Sequence, residues 1–154
     1  MIGTSVLRFL EADLFDVRAG VIGQVVNLKG FTRGEWFKLV ERKWPQVIER
    51  IESQRGVAKL GDCDFVRVGG NLWVASLYCQ LNVDAHEYRL VPEVFRSTLA
   101  QARDFSALME VPLCLPDKVG TVLPWDKWDW IEEIIEDVTP AAVIYKGKRA
   151  KEGA

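Results

Sequence analysis

The sequence predicts an α/β domain in which helices cover both faces of a sheet. Three observations carry this: strand-like segments alternate with segments of helical period, one short segment is apolar with little polar alternation, and 154 residues suffice for one core on each side of a sheet.

Ser5 to Phe15 and Val21 to Asn27 are rich in β-branched and aromatic residues and flank the short connection Asp16-Val17-Arg18-Ala19-Gly20, which predicts two early strands. From Gly34 the spacing changes. Trp36, Leu39, Val40, Trp44, Val47, Ile48 and Ile51 recur at three- and four-residue intervals, a helical face that Pro45 kinks or restarts. Phe65 to Val68 and Leu72 to Leu77, joined through Gly69-Gly70-Asn71, predict a hairpin whose turn uses glycine at positive φ. A helix from about Pro92 buries Val91, Val94, Phe95, Leu99 and Ala102. Met109 to Leu115 is the apolar segment, expected as a strand buried on both faces and ending at Pro116. After a loop to Pro124, Asp126 can cap a helix with the stripe Ile131, Ile134, Ile135 and Val138, and Ala141 to Tyr145 forms a last strand.

Composition excludes several classes. Apolar residues make up 49% and charged residues 27%, the balance of a folded globular protein. A net charge of −2 with interspersed signs supplies no basic field for sequence-independent nucleic-acid binding, and sequence-specific binding is not expected either. Lys146, Lys148, Arg149 and Lys151 read as a solvated basic terminus, with the domain at 1–146 and a flexible tail at 147–154. Cys63, Cys79 and Cys114 are odd in number and set in apolar sequence, which predicts reduced thiols and a cytoplasmic setting. No signal peptide or membrane span is apparent.

The single histidine, His86, lacks neighbours at zinc-ligand spacing, so neither a metal nor a cofactor is expected. G-x-S-x-G, the P-loop pattern and G-x-G-x-x-G are all absent. Polar residues and glycines at predicted strand ends are what remain, where open α/β sheets place ligand crevices.

In register, these segments resemble the macro domains, in particular short single-domain forms of phages and bacteria. Glu11-Ala12-Asp13-Leu14-Phe15 is similar to the family's G-D-[IL]-x opening. Val21 to Asn27 with Gly30 and Gly34 is similar to its strand, asparagine and first glycine loop, and Trp73 to Gln80 to its V-A-N-L-x-x-Q strand. Lys118-Val119-Gly120 followed by Trp128-Asp129 and an Ile-rich helix resembles the phosphate loop and W-x-x-[VI] helix, and Val143-Ile144-Tyr145 closes the pattern.

The resemblance implies a three-layer α/β/α macro-like fold with a mixed central sheet, and a ligand that is ADP-ribose or a related ADP-ribosyl nucleotide, free or carried on a macromolecule. It gives Asp13, beside Leu14, to the adenine amino group, although Asp13 alone reads equally as a turn residue. Tyr145 would stack on the adenine ring; taken alone it reads as core packing. Lys118, Val119, Gly120, Thr121, Val122 and Leu123 would wrap the diphosphate with main-chain amides. Asn27, Gly30 and Gly34 would lie at the distal ribose, Gln80 would end the neighbouring strand, and Arg33 is placed to pair with a phosphate or carboxylate.

Departures from the pattern fall where reaction chemistry would occur. Ala12 replaces a glycine, Ser76 an asparagine and Val122 the second glycine of the phosphate loop. The lysine or aspartate used by some macro domains that remove ADP-ribose is replaced by Tyr78-Cys79-Gln80 and Leu123-Pro124. The leading expectation is therefore a binder with weak or no turnover. One alternative is a hydrolase of ADP-ribose-1''-phosphate or ADP-ribosyl groups, with Asn27 orienting water and Asp126 as base, although Asp126 taken alone reads rather as a helix cap. Another is an interaction module that uses some of the six tryptophans as a partner surface.

Overall fold

A computed structural model describes residues 7–32, 34–81, 90–117 and 128–147. Its strands are β1 (Arg8–Leu10), β2 (Ala19–Asn27), β3 (Cys63–Gly69), β4 (Asn71–Gln80), β5 (Leu113–Pro116) and β6 (Val143–Tyr145). Its helices are α1 (Glu35–Lys43), α2 (Pro45–Ser53), α3 (Pro92–Met109) and α4 (Trp128–Val138). The strands form one mixed sheet in the order β1-β6-β5-β2-β4-β3, all neighbours parallel except the β3–β4 hairpin.

Alternation along the central strands sorts side chains between two cores. Val21 and Val25 of β2 join Ala75, Leu77 and Cys79 of β4 under Phe95, Leu99 and Ala102 of α3 and Ile131, Ile134 and Ile135 of α4. Ile22 and Val26 join Val74 and Tyr78 under Val40 of α1, Trp44 at the α1–α2 junction, and Val47, Ile48 and Ile51 of α2. Hence the three layers. Polar clips fasten the helices at the rims: Arg50 of α2 pairs with Asp64 of β3 at 2.8 Å, Arg96 of α3 pairs with Asp137 of α4, and Arg103 donates to the Val138 carbonyl at 2.9 Å.

Four expectations change. The first strand is confined to Arg8–Leu10, because the Asp13 carboxylate takes the Phe15 N–H at 2.9 Å and starts a single 3-10 turn, Leu14–Asp16. The segment from Met109 begins as the end of α3, since Glu110 closes that helix in the left-handed region at φ 57°, and the strand starts only at Leu113. The hairpin turn does not use positive φ at Gly69 or Gly70; Arg67 holds it, with Nη2 donating to the Gly70 carbonyl at 2.7 Å. Lys146, read as part of the basic terminus, is tied down: its N–H donates to Leu10 at 2.8 Å, and Gly147 donates to Ala12 at 3.1 Å. The rest of the expected tail, like His86, lies outside the described residues.

Pro45 does start a new helix, as the first residue of α2. The side chains of Trp36, Trp44, Trp73 and Trp130 all pack against one or other core, so none of these four supports the partner-surface reading. No described helix is long and apolar enough to cross a membrane.

Candidate functional site

Because β1, β6, β5, β2 and β4 run parallel, their C-terminal ends share one edge of the sheet. From that edge β2 leads to α1 and α2 on one face, whereas β5 leads to α4 on the other. The exits of two adjacent strands thus diverge, and such a switch point is where open α/β sheets form a crevice.

Register adds a step to this edge. Leu10, Tyr145 and Pro116 are level across β1, β6 and β5. The β2–β5 pairing sets Ile22 against Cys114, so β2 runs on past the end of β5 to Asn27, where it pairs with Gln80. At about 3.3 Å per residue, the protruding stretch makes a ledge of about 10 Å beside β5.

On the ledge, Asn27 is 1% exposed and clasps the next loop through both amide atoms: Nδ2 donates to the Phe31 carbonyl at 2.7 Å, and Oδ1 accepts the Phe31 N–H at 3.0 Å. One N–H and one lone pair of the amide remain. Gly30 adopts φ 74°, a conformation that glycine takes without strain, and its N–H donates to the Asn27 carbonyl at 3.0 Å. Gly34 instead caps α1 at φ −75° with open space around it, so its position does not demand glycine.

At the other side of the switch point, Asp13 is exposed and uses Oδ1 to cap the 3-10 turn, which bears out the turn reading; Oδ2 takes no part in that cap. The Leu14 side chain is buried in the α1–α2 core, which restricts any ligand contact it makes to the main chain. Tyr145 is half-buried against the same core; burial and the adjoining Cys114 thiol push its hydroxyl pKa up. Gln80 is buried at the end of β4, and its carbonyl accepts the Leu28 N–H at 2.7 Å. Arg33, residues 118–123 and Asp126 lie outside the described residues.

Sequence reasoning missed two features. A buried relay ties α1 to the sheet: Trp36 Nε1 donates to Gln24 Oε1 at 2.8 Å, and Gln24 Nε2 donates to Ser76 Oγ at 3.0 Å. Arg55, just after α2, donates from Nε to the Gly30 carbonyl at 3.0 Å. Both contacts join residues far apart in sequence, and only the alternation that turns Gln24 and Ser76 toward one face of the sheet hinted at the first.

Nucleophilic thiol chemistry is not supported. Cys79 is fully buried, and burial pushes its pKa up, the reverse of what a reactive thiolate needs. Burial likewise raises Cys63 to about 12 and Cys114 to about 11. Among the described residues no group of three His, Cys, Asp or Glu could hold a metal ion. A shallow open hollow of about 650 Å³, lined by Phe15, Asp16, Val17, Arg18, Lys43 and Leu72, lies by the start of β2 and β4, at the opposite end of the sheet from the ledge. Asp16, Arg18 and Lys43 give that hollow polar groups, but it lies at the N-terminal ends of β2 and β4, away from the switch point where open α/β sheets form ligand crevices.

No protein-family model and no curated protein matches the sequence. Solved structures do match. A protein of unknown function from Bacteroides thetaiotaomicron superposes with TM-score 0.79 at 20% identity, covering 95% of this chain and all of that one. A macrodomain protein from Streptomyces coelicolor gives 0.75 at 22%, covering 91% and 98%. DarTG from Thermosipho africanus, solved in complex with ADP-ribose, gives 0.67 at 12%, covering 91% of this chain and 41% of that one. The fold is that of the macro domains.

Proposed function

We propose that the chain binds ADP-ribose, or a related ADP-ribosyl nucleotide, at the C-terminal edge of its parallel strands. The observation that carries this reading is the switch point between β2 and β5 with its ledge, which gathers Asp13, Asn27, Gly30, Gln80 and Tyr145 along one edge of the sheet in a macro-domain fold. The ADP-ribose complex of the Thermosipho protein, a structural neighbour, supports the choice of ligand. In this reading Asp13 Oδ2 accepts from the adenine amino group while Oδ1 keeps its cap. Tyr145 supports the ring, residues 118–123 enclose the diphosphate, and the loop after β2 receives the distal ribose. Calorimetric titration with ADP-ribose, with ADP and AMP as controls, tests it: saturable heat with ADP-ribose is expected, and none at millimolar ligand removes the proposal.

A second reading is hydrolysis of ADP-ribose-1''-phosphate or of ADP-ribosyl groups. The observation in its favour is the Asn27 amide, whose remaining N–H and lone pair are held in a fixed orientation by the clasp on Phe31. In this reading Asn27 orients the water and Asp126 accepts its proton. Chromatography after long incubation separates the readings, and an Asn27→Ala variant with unchanged rate refutes these roles.

A further inference from the structure

The loop after β2 is shaped from two sides. Asn27 clasps Phe31 from the sheet, whereas Arg55, from beyond the end of α2, donates to the Gly30 carbonyl at 3.0 Å and sets its guanidinium 5.9 Å from the Phe31 ring centroid. The approach is close enough that a Cβ on Gly30 would stand 2.8 Å from Arg55 Cγ and 3.5 Å from the Ile51 carbonyl. Gly30 therefore serves two needs, a positive φ and room for the arginine stem. At the end of α2 the main-chain carbonyls carry the negative pole of the helix, which would repel an electron-rich ligand rim; the Arg55 cation offsets it beside the loop. A charged donor is also a stronger anchor for a loop carbonyl than a neutral one.

We propose that Arg55 is a positioning residue that fixes the loop at residues 28–32, and that it thereby favours a ligand carrying a distal sugar over the bare nucleotide. The proposal rests on the ADP-ribose reading above, in which this loop receives the distal ribose. Its mechanism is preorganisation: a loop already in its receiving shape costs the ligand no ordering, and loss of the anchor lowers the fraction of competent protein. ADP lacks the distal ribose and does not depend on that fraction.

The test compares the full-length protein with Arg55→Ala and Arg55→Lys by calorimetry with ADP-ribose and with ADP, alongside amide hydrogen exchange. Arg55→Ala is expected to weaken ADP-ribose about tenfold, as when the competent fraction falls to about a tenth, while ADP changes less than about twofold. Arg55→Lys, which keeps a charged donor, recovers part of the loss. The Phe31 amide exchanges about tenfold faster in Arg55→Ala, while Val25 and Val26 in β2 keep their protection. Equal weakening of both ligands, or unchanged affinity and exchange, overturns the proposal. Should the unaltered protein bind neither nucleotide, the ADP-ribose reading fails together with the ligand preference, and Phe31 exchange alone decides whether Arg55 anchors the loop.

Discussion

Replacing Ser76 with alanine removes one hydroxyl from the sheet interior, and the cost follows from what it leaves behind. Gln24 is 0% exposed, and its Nε2 donates to Ser76 Oγ at 3.0 Å while Oε1 accepts from Trp36. Without Ser76 the Gln24 amide still accepts from Trp36 at Oε1 but Nε2 loses the hydroxyl it donates to, in a place where water cannot readily substitute. An orphaned buried donor costs about 1–3 kcal/mol. For a chain of this length each kcal/mol lowers Tm by roughly 2–4 °C, so the fall is roughly 2–12 °C. Removing both partners in Gln24→Leu with Ser76→Ala leaves fewer unmet groups than the separate changes imply, so the double variant loses less than the sum by about 0.5–3 kcal/mol. Urea denaturation followed by circular dichroism on the four proteins of the cycle measures this. A Ser76→Ala variant within about 0.5 kcal/mol of the parent, together with an additive double variant, would refute the relay as a unit.

Burial of the thiols gives a pH dependence of definite sign. Cys114 moves from an ordinary 9.0 to about 11, so between those values the folded state keeps a proton that the unfolded chain has lost. Its contribution is complete below pH 9 and declines as pH rises toward 11; Cys114→Ala should make that decline shallower, and identical slopes in alkaline urea titrations would contradict it. At pH 8 a thiol reagent should label the native protein slowly and all three cysteines quickly after unfolding; rapid native labelling of Cys79 would count against its burial. Tyr78 is buried and its hydroxyl has no hydrogen-bond partner among the described residues, so Tyr78→Phe should be neutral or stabilising by up to about 1 kcal/mol in urea melts, and a clear loss would reveal an unassigned partner. Gly30→Ala places a Cβ at positive φ against Arg55, and a destabilisation of about 1–2 kcal/mol is expected; a neutral result would contradict the loop geometry.

Local pattern made the helices and central strands legible. The helical period from Trp36 to Ile51 and the Ile131, Ile134, Ile135 stripe named residues that fill the two cores, except Leu39, which is 40% exposed. Features that depend on one side chain capturing a backbone group were harder to read. Asp13 ends the first strand by capping a turn and Arg67 holds the hairpin expected to depend on Gly69 and Gly70, whereas Glu110 stops α3 through its own left-handed backbone. The candidate site was legible as a list of strand ends, because β–α alternation delivers those ends to one edge. Its anchoring was not. Arg55 meets Gly30 across 25 positions and Gln24 meets Ser76 across 52; alternation turns the latter two toward one face, but no local pattern pairs residues over such spans.

The most direct test is a crystal soaked with ADP-ribose. Electron density is expected along the ledge between β2 and β5, with the adenine beside Asp13 and Tyr145 and the distal ribose at the loop after Asn27. Density at the opposite end of the sheet, near Arg18 and Lys43, or none at saturating ligand, would contradict the assignment.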